Sequence, residues 1–123
     1  MVHLNFAKES DFTMQKIAQF QDLLNNQSTV VLNHATWCGH CHAFMGEFDK
    51  FKRSGSAATV KIESEVQGKF AEYPGIYKKI TPAKGSMYFP MVLVFVNKRK
   101  SEYKGERTKK ALKDFVDVKT KKK

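Results

Sequence analysis

Apolar and polar residues along this chain recur with two periods, and the switches between them lay out the elements. Val2, Leu4 and Phe6 alternate with polar neighbours, as in a strand at the edge of a sheet. Phe12, Ile17, Phe20, Leu23 and Leu24 follow on one face of a helix that Asn25-Asn26 can end. Thr29-Val30-Val31-Leu32 is a β-branched, apolar second strand, and Phe44, Met45, Phe48 and Phe51 form the stripe of a second helix. Thr59 to Ile62 reads as a third strand. Glu65 to Tyr73 reads as a short helix stopped by Pro74-Gly75, and residues 74 to 89, rich in Gly, Pro, Lys and aromatics, as irregular. Met91 to Val96 is nearly continuous in apolar character, the pattern of a central strand buried on both faces. Asn97 to Lys100 predict a hairpin turn, Ser101 to Tyr103 a short strand, and Ala111, Leu112, Phe115 and Val116 a last amphipathic helix.

The 123 residues amount to one domain, and 41% hydrophobic content with ten phenylalanines is enough for one core. The expected domain is 1–118, with a basic tail at 119–123. A run of about 18 apolar residues, which a membrane-spanning helix needs, does not occur. Met1 to Lys8 lacks the long apolar segment and cleavage site of a signal peptide. A cytoplasmic monomer is therefore expected; a signal trimmed from a precursor would place the chain in an oxidising secretory compartment instead.

The only two cysteines, Cys38 and Cys41, stand three residues apart where the second strand gives way to the second helix. Cys38 is placed at a helix N-terminus, where unpaired N–H groups and the positive end of the helix dipole favour thiolate, the nucleophile of disulfide exchange. Cys41, one turn further in, is the resolving thiol that attacks a mixed disulfide from within. His40 lies between them, and a protonated imidazole there stabilises the Cys38 thiolate and makes the disulfide a better oxidant. Other chemistries share this spacing. Cys-x-x-Cys is half a zinc site, with His34 and His42 as further ligands. Cys38 to His42 also spells the Cys-x-x-Cys-His of c-type haem attachment, against which the strand-helix order argues.

Trp37-Cys38-Gly39-His40-Cys41, Phe89-Pro90 ahead of the strand at 91 to 96, and Tyr103-Lys104-Gly105-Glu106-Arg107-Thr108 with Leu112 and Phe115 occur in this order. In these pieces the chain resembles the thioredoxin superfamily, and its protein disulfide isomerase branch in particular; thioredoxins usually carry proline in place of His40. The resemblance covers nearly the whole chain. It implies an α/β thioredoxin fold, a single mixed sheet of four to five strands flanked by about four helices. It further implies a cis Phe89-Pro90 bond facing the active site, a substrate surface of Trp37, Gly39, Phe89 and Pro90, and an Arg107 that approaches Cys41 and helps it ionise. No metal or dissociable cofactor is implied, because the Cys38-Cys41 disulfide carries the electrons. Protein thiols and disulfides are the implied substrates, with a redox partner that the sequence does not name.

One departure stands out. The family usually keeps a buried carboxylate six residues before the first cysteine, and this chain has Leu32 there. Lys61 matches the lysine that normally pairs with that acid, so it is expected to deprotonate, snorkel or find another acid. His34 is expected on the Leu32 face, since side chains alternate along a strand, and is a candidate proton acceptor for Cys41, with Lys61 as a further relay candidate. The alternative is a histidine satisfied by a backbone hydrogen bond. Asn33 has no explanation from sequence.

Lys and Arg number 22 against 12 Asp and Glu, a net charge of +10. Much of it is local, at Lys78-Lys79, Lys98-Arg99-Lys100, Lys109-Lys110 and the run Lys119-Thr120-Lys121-Lys122-Lys123. Solubility explains such charge; attraction to an anionic partner, nucleic acid or acidic protein, is the sharper reading. No RNA-binding motif interleaves aromatics with these charges. The expected function is a thiol-disulfide oxidoreductase of disulfide isomerase type. A basic binding module with weak redox activity and a thioredoxin-like reductase are the alternatives.

Overall fold

A computed structural model of the chain describes residues 1–82 and 85–121. Five strands form one sheet: β1 His3–Phe6, β2 Thr29–His34, β3 Ala58–Glu63, β4 Met91–Val96 and β5 Arg99–Tyr103, in the order β1-β3-β2-β4-β5. β1 and β2 each run parallel to β3, whereas β4 is antiparallel to both β2 and β5. Among the described residues, α1 Met14–Asn26, α2 Gly39–Arg53, α3 Ser64–Gln67, α4 Pro74–Ile80 and α5 Lys109–Lys121 surround the sheet, with 3-10 turns at Glu9–Asp11 and Gly68–Glu72.

The central strands are buried on both faces, so each packs two layers. On one face Val31, Val60 and Leu93 meet Ile17, Phe20, Leu23 and Leu24 of α1, Phe70, and Ile76 and Ile80 of α4. On the other, Val30, Leu32, Val92 and Val94 meet Phe44, Phe48 and Phe51 of α2 and Leu112 and Val116 of α5. Thr13 caps α1 by accepting a hydrogen bond from Lys16 N–H at 3.1 Å.

Three expectations need correction. Glu65 to Tyr73 is not one helix but the single turn of α3 followed by the 3-10 turn at Gly68–Glu72. Pro74 does not open an irregular stretch: it follows the 3-10 turn and starts α4, because its missing N–H costs nothing at a first helical position. The hairpin turn is only Asn97-Lys98, both at positive φ, and β5 starts at Arg99. α5 takes in Lys119 and Lys121 of the basic end. Lys122 and Lys123, and Ala83 and Lys84 of the expected irregular stretch, lie outside the described residues.

The antiparallel pairing sets Met91, at the start of β4, opposite Asn33, near the end of β2. The loop after β2 and the loop before β4 therefore share one end of the sheet. That is where Cys38 and Phe89 meet.

Candidate active site

Cys38 is the N-cap of α2, with extended backbone and its side chain turned over the first turn. Cys41 N–H donates to Cys38 Sγ at 3.2 Å, and that thiol lies 3.6 Å from the Phe89 carbonyl, to which it can donate. Only 7% of Cys38 and 2% of Cys41 is exposed, and the two, both free thiols, form a small cluster with Ala35, against which Phe89 packs. The pair is split electrostatically. The side-chain hydrogen bond with Cys41 holds the Cys38 thiol below its ordinary range, helped by the backbone N–H groups of Cys41 and His40 and by the Arg107 charge, against a smaller effect of burial. Burial, and then the contact with Cys38, pushes the Cys41 thiol up to about 11. One sulfur is thus prepared to ionise and the other to keep its proton.

Trp37 is 72% exposed and meets Phe89 edge-on at 5.8 Å between ring centroids, so it forms a flat apolar shelf rather than a lid. Gly39 and His40 are exposed on the first turn of α2, and the Phe89-Pro90 bond is cis as expected. Arg107 is exposed and makes no ion pair or hydrogen bond among the described residues. Its charge reaches both thiols, but as the weakest of the named influences on each.

Lys61 pairs in register with Leu32, where the missing carboxylate would stand, and its ammonium lies 3.5 Å from the Asp49 carboxylate of α2. It has found another acid, which removes the cost of an unpaired lysine. His34 is half-buried on the Leu32 face, and its Nε2 has no hydrogen-bond partner among the described residues. Burial holds its pKa low, opposed by the charge of Glu63 and assisted by those of Lys61 and His42. Asn33 is fully buried with both amide atoms unpartnered among the described residues, and nothing in the structure explains it.

Sequence reasoning missed Glu63. It is only 4% exposed, sits opposite His34 in the ladder, and accepts from Thr36 N–H at 3.2 Å and Glu65 N–H at 2.7 Å. It therefore caps α3 and ties the loop before Cys38 to the end of β3. No sequence signal pointed to it, because the usual N-cap residues are Ser, Thr, Asp and Asn, and glutamate is not among them. His42 turns its Nε2 to the Thr36 carbonyl at 2.6 Å, and among the described residues no three His, Cys, Asp or Glu side chains are grouped to hold a metal.

A strand-loop-helix dithiol facing a proline loop, on a mixed five-stranded sheet, defines a thiol oxidoreductase domain of thioredoxin type. The thioredoxin family model matches residues 11–118, and the chain belongs to that family. Protein disulfide isomerase-like 1-4 of Arabidopsis thaliana is 28% identical in an alignment of 116 residues that covers 90% of this chain but 18% of that protein. The J-Trx1 fragment of ERdj5 superposes with a TM-score of 0.68 at 14% identity, over 98% of this chain and 52% of the fragment. A mutant thioredoxin from Halobacterium salinarum gives 0.65 at 20% identity, over 98% of this chain and 92% of the other. No helix among the described residues is long and apolar enough to cross a membrane.

Proposed function

We propose that the chain is a thiol-disulfide oxidoreductase of disulfide isomerase type acting on protein substrates. The observation that carries this is the division of labour between the sulfurs: Cys38 at the helix N-cap, held toward thiolate, above a buried Cys41 whose thiol is pushed up to about 11. The Cys38 thiolate attacks one sulfur of a substrate disulfide, a mixed disulfide forms, and the other substrate sulfur leaves as thiolate. Cys41 then gives up its proton and attacks the Cys38 sulfur, which breaks the mixed disulfide, releases the second substrate sulfur as thiolate and closes the Cys38-Cys41 disulfide, so that two electrons have passed to the substrate. Run backwards, the same steps oxidise a substrate dithiol; release before closure lets the substrate rearrange. No dissociable cofactor enters.

Ionisation also prepares the groove. As a thiol, Cys38 can donate to the Phe89 carbonyl; as a thiolate it cannot, and that carbonyl becomes free to accept from a substrate backbone N–H. His34 is the proposed proton acceptor for Cys41, with Glu63 beside it, now that Lys61 is held by Asp49.

The test is the equilibrium potential of the Cys38-Cys41 pair in a glutathione buffer, with Cys41→Ser to trap the mixed disulfide on Cys38 and His34→Gln to probe the proton step. Thioredoxin-like and isomerase-like potentials differ by roughly 90 mV, about 4 kcal/mol for a two-electron couple. A value at the isomerase end supports the proposal, and one at the thioredoxin end makes the chain a reductase. Failure to cycle leaves a binding module. An unchanged pH profile in His34→Gln removes His34 from the proton step.

A further inference from the structure

A cleft of about 110 Å³ lies between the loop before β4 and the loop that joins β5 to α5, and Tyr88, Pro90, Val92, Tyr103, Lys104, Gly105 and Arg107 line it. Pro90 directly follows the residue whose carbonyl meets Cys38 Sγ at 3.6 Å, and the charge of Arg107, another lining residue, acts on both thiols, which ties the cleft to the reacting pair. Its far wall is a loop packed closely against a tyrosine. The buried Tyr103 donates its hydroxyl to the Glu106 carbonyl, and a Cβ on Gly105 would lie 2.8 Å from that hydroxyl oxygen. Only glycine lets the loop lie so close, and this packing holds Lys104 and Arg107 on either side of it. Both cations are exposed, and neither makes an ion pair among the described residues. Among the described residues no carboxylate lines the cleft, although the charges of Glu106 and Asp114 act on Tyr103 in its wall.

We propose that this cleft is a carboxylate subsite, which selects acidic protein substrates by taking an Asp or Glu side chain within about two residues of the reacting cysteine. The proposal rests on the oxidoreductase reading and adds to it a substrate class. Arg107 offers a planar fork of donors suited to a carboxylate, and Lys104 a second positive charge. Size selects a side chain over a whole small molecule, because about 110 Å³ is well below the roughly 300–1,000 Å³ of sites that enclose one. The net charge of +10 steers acidic chains toward the same surface.

Two peptides decide it. They differ only in Asp against Asn on either side of a single cysteine, and each carries that cysteine as a mixed disulfide with a chromogenic aromatic thiol. The Cys41→Ser protein should capture the acidic peptide about three- to tenfold faster than the neutral one. In Lys104→Gln with Arg107→Gln that ratio should fall to about one, and Arg107→Lys should keep part of it. Lys98→Gln with Arg99→Gln, which removes the same charge at the opposite end of β5, should keep the ratio whole. Equal rates for the two peptides overturn the subsite alone, and so does a ratio lost equally in the far-end variant. Capture of neither peptide overturns the oxidoreductase reading and the subsite with it.

Discussion

At the scale of single residues, what matters is where each proton sits. Cys41 keeps its proton in the folded, reduced chain up to about 11, whereas an ordinary thiol loses it near 9.0. The unfolded chain therefore gives up this proton first as pH rises. Stability contributed by this group is complete below 9.0 and is lost as pH climbs from there toward 11. Urea unfolding of the reduced protein and of Cys41→Ala should show wild type losing ground to the variant across that window, and parallel curves would contradict the assignment. Cys38 behaves in the opposite sense. Its thiolate forms below the ordinary range, so alkylation at neutral pH should label Cys38 and spare Cys41.

Helices and strands hold these residues by packing, and at that scale local rules worked well. The stripe of α2 buries Cys41, Phe44, Phe48 and Phe51 at spacings of three, four and three, so the helix that carries the nucleophile is fixed through its own core face. Phe48, fully buried against Phe44 and Phe51, should cost about 3–5 kcal/mol on replacement by alanine. Thr13→Ala, which removes only the α1 cap, should cost about 1 kcal/mol. Equilibrium urea unfolding measures both, and a cap variant as costly as the core variant would refute this ranking. The element that local rules misread is the stretch from Glu65 to Ile80. Proline ends a helix and begins one with equal ease, so the sequence signal at Pro74 is the same in both cases. What decides is that Ile76 and Ile80 find the core beside Phe70 and α1.

For the molecule as a whole, charge and topology act together. With a net charge of +10, encounter with acidic protein disulfides should be fast at low ionic strength and fall steeply as salt is added, since the screening length shrinks from about 30 Å at 0.01 M to about 3 Å at 1 M. Stopped-flow capture by the Cys41→Ser protein measures this, and an acidic protein whose rate ignores salt would deny the surface charge any steering role.

Most of the fold was legible in the chain. The two periods marked all five strands and three of the helices, and the dithiol lay on the strand-to-helix junction that its neighbours foretold, because periodicity and helix-terminus chemistry depend on residues a few positions apart. Pairing across the molecule could not be read this way. Lys61 gained Asp49 from another element, Glu63 came to lie beside His34, and the loop before β4 met the loop after β5 to form a cationic cleft. Each joins residues remote in sequence, and only strand order and register bring them within reach. The sequence by itself determined which sulfur stands at the helix start; the tertiary structure decided which charges surround it, because electrostatic influence falls with distance in space rather than along the chain.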